Sequence, residues 1–354
     1  MLILSKKKGD YMTCNNQFIQ IGSRKIGDVY PTYIIAEVGS NHDGNIENAK
    51  RYILAAKEIG ADAVKFQAFT ADRLVNKDKL PEIYTLMNDL EISMDWLPIL
   101  NEYAKKIGIE FLCTPFDIKS AEILFNLGIN AFKISSGDIT NIPLLRYIGS
   151  RKLPVILSTG MSYLKEIEEA LQVLSCNGVD EIGILHCISK YPPRYEEMNL
   201  NVLKTLKQAF NYVTGFSDHS EENIGTIAAI TLGARIIEKH ITFDKTLPGA
   251  DHPFALTVSE FEKMINDIRK LELALGNGVK RPTIQEIEGP LKRARRSIFA
   301  GVDIPSGTMI TEDMLKVVRP VIGLEPKYID IIVGKRAKIN ISKYDEITWD
   351  KILS

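Results

Sequence analysis

The chain is poor in cysteine, with four in 354 residues (Cys14, Cys113, Cys176 and Cys187) and no CxxC spacing. That excludes a disulfide framework and suits a reducing compartment, so a cytoplasmic location is expected. A surplus of charge is also missing. Forty-four Lys and Arg stand against 45 Asp and Glu, for a net charge of -1, which leaves no field to attract nucleic acid or an anionic membrane. No apolar run approaches the roughly 20 residues that span a bilayer. Neither nucleic acid nor membrane is expected as a partner. The opening "MLILSKKKGDYMTCNN" puts its apolar residues before its lysines, the reverse of a signal peptide, and residues 1–16 read as a polar N-terminal extension.

What is present is ordinary core material, 45% hydrophobic and 25% charged residues, as in soluble globular proteins. At about 150 residues per domain the length allows one large domain and a small one. From residue 33 to 277, short β-branched runs alternate with longer helical patterns. The strand candidates are 33–38, 62–69, 109–113, 131–135, 154–158, 181–186, 211–216 and 234–240. Between the first two, Ile46, Ala49, Ile53 and Ala56 fall at helical spacing before Gly60, which reads as a C-cap. After the eighth, Ser259 is placed to cap a long final helix. Eight such units predict an α/β fold, a (β/α)8 TIM barrel over residues 17–277, with a doubly wound open sheet as the alternative.

Residues 278–296 are polar, basic and broken by proline, and read as a linker. The last stretch, 297–354, carries an internal repeat, "IPSGTMITEDML" against "ISKYDEITWDKI". A duplicated unit of this size predicts a separate small β-rich domain, suited to a lid or a partner-binding module.

In a barrel the residues at the C-terminal ends of the strands form the active site, and here those ends are polar. Glu37 ends the first run, and Lys65 and Gln67, two apart on one face, end the second. Thr114 follows the third; Lys133, Ser135 and Ser136 end the fourth, and Ser158 ends the fifth. His186 and Cys187 end the sixth, "SDHS" (217–220) follows the seventh, and Glu238, Lys239 and His240 end the eighth. Any one of these is more often a solvated cap or a hydrogen-bonded structural residue. Together they predict a mouth facing substrate, with the charged tail of "ARIIEKH" in it.

Two lysines inside apolar runs are costly unless an anion meets them. Lys65, Lys133, Thr114, Ser136, Ser158 and Ser217 suit a phosphate and a carboxylate. His219 and His240, from the last two strands, suit one divalent ion at an open site. A pair of structural histidines is the alternative, and no third ligand is visible beyond Cys187.

These motifs resemble the sialic acid (N-acetylneuraminate/legionaminate-type nonulosonate) synthase family, which condenses phosphoenolpyruvate with an N-acetylated amino sugar. The matching pieces are "IIAEVGSNHDG", "DAVKFQ", "TPFD", "FKISSGD", "ILSTGM", "LHCISKYP", "GFSDHS", "EKHITFD" and "PGADH", in family order across the barrel. The tail "RRSIFAGVDIPSGTMITEDMLKVVRP" resembles that family's antifreeze-like (SAF) domain. The resemblance implies a divalent metal, usually Mn2+, on His219 and His240. It implies phosphoenolpyruvate contacts from Lys65, Thr114, Lys133, Ser136, Ser158, Ser189 and Ser217. Glu37 matches the acid-base carboxylate, with Lys65, Lys133 and Asp138 as further catalytic positions. Glu37, Gln67, Tyr191 and Asp251 match sugar contacts, and Arg319 matches an arginine inserted into a partner's active site. A homodimer with swapped SAF domains is therefore implied.

The sequence departs from the family pattern in places. Ser136-Gly137-Asp138 replaces Ser-Gly-Glu, which puts the role of Asp138 in doubt, and Ser189 stands where asparagine is frequent. "RPVIGLEP" replaces a glycine-richer loop beside Arg319, and "TADRLVNKDKLPEIY" has no match. The favoured acceptor is N-acetylmannosamine, followed by 2,4-diacetamido-2,4,6-trideoxymannose on the legionaminic acid route. The pseudaminic acid branch usually carries Ser-Phe-Glu at the fourth strand, which disfavours it, and a phosphorylated acceptor stays open. Other classes are a metal-dependent pyruvate aldolase, which needs no phosphate pocket, and a non-catalytic carbohydrate-binding barrel, which has no use for Glu37 or the histidines.

Overall fold

The computed structural model describes residues 18–353, so the expected extension over residues 1–16 lies outside the described residues. The chain divides into two compact units that meet at Gly276 and Asn277.

The first unit opens with an antiparallel hairpin, β1 (Phe18–Ile21) and β2 (Arg24–Gly27), turned at Gly22. Eight parallel strands follow: β3 (Tyr33–Glu37), β4 (Ala63–Ala68), β5 (Glu110–Pro115), β6 (Phe132–Ile134), β7 (Val155–Ser158), β8 (Ile182–Cys187), β9 (Val213–Asp218) and β10 (Ile236–Thr242). Their ladder runs β5-β4-β3-β10-β9-β8-β7-β6, and β5 and β6 lie side by side, so the sheet comes round on itself. This is the expected (β/α)8 barrel. The strands are joined through α1 (Ile46–Glu58), α2 (Ala71–Leu74), α3 (Pro81–Leu90), α4 (Trp96–Ile107), α5 (Ile118–Asn126) and α6 (Ile142–Ser150). Further round come α7 (Leu164–Cys176), α8 (Val202–Phe210), α9 (Ile224–Thr231) and α10 (Val258–Leu275). The unmatched stretch after the second barrel strand is the excursion through α2 and α3.

Local chemistry sets the helix ends. Gly60 follows the last residue cap of α1 with φ +83°, a conformation that a side chain resists. The cap of α10 is Thr257 rather than the expected Ser259. Thr257 Oγ1 accepts from the Glu260 N–H at 3.3 Å while Glu260 accepts from the Thr257 N–H at 2.8 Å. This reciprocal box satisfies two free helix donors at once, which Ser259, already inside the first turn, is not placed to do.

Strand residues alternate between the barrel interior and the helices. Tyr33, Ile35, Ala63, Leu112, Ala131, Ile156, Leu185, Val213 and Ile236 form an apolar inner cluster with Ile19, Ile21 and Ile26 of the hairpin. The hairpin therefore closes the end of the barrel where the strands begin. The outward residues, among them Ile34, Val64, Phe66, Phe132, Leu157 and Ile237, pack against the helices in a second, larger cluster.

In the second unit, β12 (Ser297–Ala300) and β13 (Leu315–Val318) pair antiparallel, after the two-residue β11 (Leu256–Thr257) of the first unit. The stretch read as a linker holds two short helices, α11 (Ile284–Glu288) and α12 (Pro290–Ala294). The internal repeat is visible in space. Ile304 and Ile341, its equivalent first residues, exchange backbone hydrogen bonds of 2.8 and 2.9 Å. Ile310 and Ile347 are both buried, and both copies end in a short 3-10 turn, Glu312–Met314 and Trp349–Lys351.

Candidate active site

On seven of the eight strands, two residues beyond an apolar interior position and towards the C-terminal end, the inward side chain becomes polar; on β9 that place is Gly215, and Ser217 follows. Ile35 is followed by Glu37, Ala63 by Lys65, Leu112 by Thr114, Ala131 by Lys133, Ile156 by Ser158, Leu185 by Cys187 and Ile236 by Glu238. All are buried, and together with Gln67, Ser136, Ser189, Tyr191, Ser217, His219 and His240 they line one cavity of about 400 Å³. Most of the expected site residues thus share a single lining.

Two lysines and two carboxylates occupy its floor. Lys65 Nζ lies 2.8 Å from Glu37 Oε2 and 3.7 Å from Glu238 Oε2, and reaches Thr114 Oγ1 at 3.2 Å. Lys133 Nζ lies 2.6 Å from Ser158 Oγ and 3.7 Å from Glu238 Oε1. The anion expected to meet the two lysines was a substrate; the structure also supplies counter-ions of the protein's own, Glu37 and Glu238, from neighbouring strands. Glu238, placed at the mouth by sequence but given no role there, lines the same cavity. It stands between both lysines and accepts from Ser217 Oγ at 2.9 Å, and its inward parity with His240 was the available signal.

The carboxylates are driven apart. Burial pushes Glu37 above the ordinary carboxylate range; Lys65 opposes this and Glu238 adds to it. Burial acts on Glu238 as well, but Lys133 and Lys65 outweigh it and hold that carboxyl well below the range. Burial tends to lower Lys65, yet Glu238 and Glu37 raise it overall, whereas Lys133 is lowered by burial that Glu238 does not offset. One acid suited to carrying a proton thus sits beside one fixed anion, the pattern that assigns acid-base roles.

The hydroxyls of Ser136 and Ser189 converge on Gly160. Its N–H donates to Ser136 Oγ at 2.9 Å, and a Cβ there would stand 2.4 Å from Ser189 Oγ and 2.9 Å from Ser136 Oγ. Gln67 Nε2 donates to Glu37 Oε1 at 2.7 Å. Tyr191 tilts over the His219 ring with centroids 4.1 Å apart.

Other strand-end residues turn away. Lys239 and Asp218 face outward and pair at 3.1 Å, both fully buried, and Asp218 also accepts from Ser220 and Thr226. The expectation that Lys239 faces substrate is therefore corrected: alternation puts it on the opposite face from Glu238 and His240. His186 likewise stacks on Phe216 and meets the Met198 carbonyl at 2.7 Å. Asp138 does not line the cavity; its carboxylate accepts from Ser135 Oγ and Asn141 Nδ2, which tie it into its own turn. Asp251 lies behind His240. Arg319 belongs to the second unit, exposed just after β13.

The His219 and His240 rings are 5.6 Å apart at 68°. His219 Nδ1 donates to the Ile188 carbonyl at 2.8 Å, and His240 Nδ1 is buried without a hydrogen-bond partner. No group of three or more His, Cys, Asp or Glu side chains able to hold a metal gathers among the described residues. Two imidazoles with a tied-back or orphaned second nitrogen fit an open site that water and substrate complete.

The NeuB family profile matches residues 52–280, and the SAF domain profile matches residues 267–353. The chain belongs to the NeuB family. This NeuB-family chain is 39% identical to the N,N'-diacetyllegionaminic acid synthase of Legionella pneumophila, over 93% of this chain and 99% of the relative. The crystal structure of the spore coat polysaccharide biosynthesis protein SpsE of Bacillus subtilis is also 39% identical, covering 95% of this chain and 99% of that one with a TM-score of 0.68. An N-acetylneuraminic acid (sialic acid) synthetase from Leptospira borgpetersenii, solved with citrate, is 36% identical, with 77% and 94% covered and a TM-score of 0.73. The NeuB and SAF matches bear out the barrel followed by a small β-rich domain. No helix among the described residues is long and apolar enough to cross a membrane.

Proposed function

We propose that this NeuB-family enzyme condenses phosphoenolpyruvate with N-acetylmannosamine to give N-acetylneuraminate and phosphate. The observation that carries this reading is the ring of Lys65, Lys133, Thr114, Ser136, Ser158 and Ser217 beneath two histidines in one cavity. Lys65 and Lys133 hold the carboxylate and phosphate of phosphoenolpyruvate, with the hydroxyls completing the cradle. C3 of phosphoenolpyruvate forms the new bond to the sugar's aldehyde carbon, water adds at C2, and phosphate departs from the resulting tetrahedral centre. Glu37, raised by burial, moves a proton at the sugar oxygen, and Gln67 fixes its carboxyl. Glu238 stays ionised and offsets the repulsion between the two ammonium groups it stands between. His219 and His240 would hold a divalent ion, Mn2+ by the family resemblance, which when bound supplies Lewis acidity to the sugar carbonyl.

Phe116, Met161 and Tyr191 add apolar surface to the lining and favour a second reading, 2,4-diacetamido-2,4,6-trideoxymannose, which lacks a hydroxyl. In both readings two subunits exchange SAF domains and the partner subunit's Arg319 contacts the sugar. Asp251 is the further sugar contact, and Asp138 acts from outside the lining by bracing Ser135.

The test is phosphate release from phosphoenolpyruvate by metal-stripped enzyme, with each acceptor, phosphorylated N-acetylmannosamine included, with and without Mn2+. Release with Mn2+ and N-acetylmannosamine, and a product of matching mass, is expected. Release with the trideoxy sugar alone moves the enzyme to the second reading. Carbon–carbon bond formation from pyruvate without phosphate release overturns both in favour of an aldolase. Arg319→Ala is expected to raise KM for the sugar by about tenfold or more at unchanged KM for phosphoenolpyruvate, as loss of one charged contact implies.

A further inference from the structure

The loop after β3 reads Gly39-Ser40-Asn41-His42-Asp43-Gly44, and three of its side chains fasten it to the end of β10 or the loop beyond. The Ser40 N–H and Oγ–H both donate to Asp251 Oδ2, each at 2.9 Å. Asn41 Nδ2 donates to the Ile241 carbonyl at 2.9 Å. Asp43 Oδ1 lies 2.9 Å from Nε2 of the fully buried His252, whose Nδ1 lies 2.7 Å from Thr242 Oγ1. The first and last strands of the barrel, already neighbours in the ladder, are thus laced together again above it.

The Asp251 tie leads to the histidine pair. Asp251 Oδ2 lies 3.7 Å from His240 Nδ1, the buried nitrogen without a hydrogen-bond partner. Gly39 permits this approach. A Cβ on Gly39 would stand 2.3 Å from Asp251 Oδ2 and 3.1 Å from His240 Cε1, at a φ of +55°. Two donors into one oxygen fix the position of that oxygen and leave Oδ1 for another contact. At 3.7 Å the carboxylate is an electrostatic neighbour of Nδ1 and not its hydrogen-bond partner. A carboxylate on that side of the ring favours the orientation in which Nδ1 faces it and Nε2 faces away.

We infer that Ser40 is a positioning residue for cation binding: it holds Asp251 Oδ2 beside His240 Nδ1, so that Nε2 of His240 is presented to a divalent ion. This rests on the reading that His219 and His240 hold that ion.

The experiment measures Mn2+ affinity by the electron paramagnetic resonance signal of free Mn2+, without substrates. It compares wild type, Ser40→Ala, Ser40→Thr, Asp251→Asn and His240→Ala, with Tm of each metal-free protein recorded. Outer-partner losses weaken metal binding about 10- to 100-fold. Ser40→Ala, which keeps the backbone donor, is expected near the lower figure and Asp251→Asn near the upper, with Ser40→Thr restoring the wild-type value. Unchanged Mn2+ affinity in both Ser40→Ala and Asp251→Asn, while His240→Ala loses it, overturns the inference and leaves Asp251 a sugar contact alone. Failure of Ser40→Thr to restore affinity, together with a lowered Tm in Ser40→Ala, assigns the loss to loop folding and overturns it too. Wild-type affinity in His240→Ala shows instead that the ion is not held there, and the reading of the histidine pair falls first.

Discussion

Two layers of the barrel interior lie one side-chain repeat apart on the same strands, and they have opposite characters. The lower layer, from Tyr33 and Ile35 round to Ile236, is apolar and sealed by the hairpin. The upper layer holds Glu37, Lys65, Lys133 and Glu238, as completely buried as the layer beneath. Burial therefore does not distinguish structure from chemistry here; the partners of the buried groups do. The apolar layer stabilises by removing surface from water. The charged layer carries desolvation that its own ion pairs offset only with good geometry.

Substitutions that separate the layers test that contrast. Lys133→Met should lower kcat by about 100- to 1000-fold, the loss seen when one preorganised electrostatic contact is removed, with little change in Tm. A large fall in Tm at preserved kcat would make Lys133 a structural ion. Lys239→Met removes an equally buried lysine from the outer face and strands Asp218 without its cation. It should cost about 3 kcal/mol of stability in a denaturant titration, with kcat of the folded enzyme unchanged. A drop in kcat at full stability would return Lys239 to the site. Ile236→Val, in the lower layer two residues before Glu238, should cost about 1 kcal/mol by the same titration and leave both KM values alone.

Much of this contrast was legible in the residues themselves. The eight strands announced themselves as β-branched runs, and Lys65 with Gln67 gave the inward parity outright. In "ARIIEKH" the same parity separates Glu238 and His240 from Lys239, but three charged residues in a row mask the alternation unless it is counted from Ile236. The hairpin escaped notice because each strand has four residues, and Arg24 and Lys25 look like loop residues when the burial of Ile26 is unknown. Asp138, whose role the motif already left in doubt, is a different case. Its place in the motif is a matter of spacing, whereas its direction is set by competition from Ser135 and Asn141, which no motif encodes. The repeat of the second unit was readable because equivalent isoleucines serve the same core.

The hairpin stopper has a kinetic consequence. The apolar layer, with Ile19, Ile21 and Ile26 packed into it, makes the interior beneath the lysines solid core, so the cavity lies at the ends of the strands. The lysines sit at the bottom of that vessel, and Gln67 and the Tyr191 ring, half exposed at 49%, stand nearer its rim. On the proposed function, the molecule seated on the lysines is expected to enter before the one that fills the rim, and product-inhibition kinetics check that order. The expected order of arrival and departure follows from the vessel's shape, as a queue with one door.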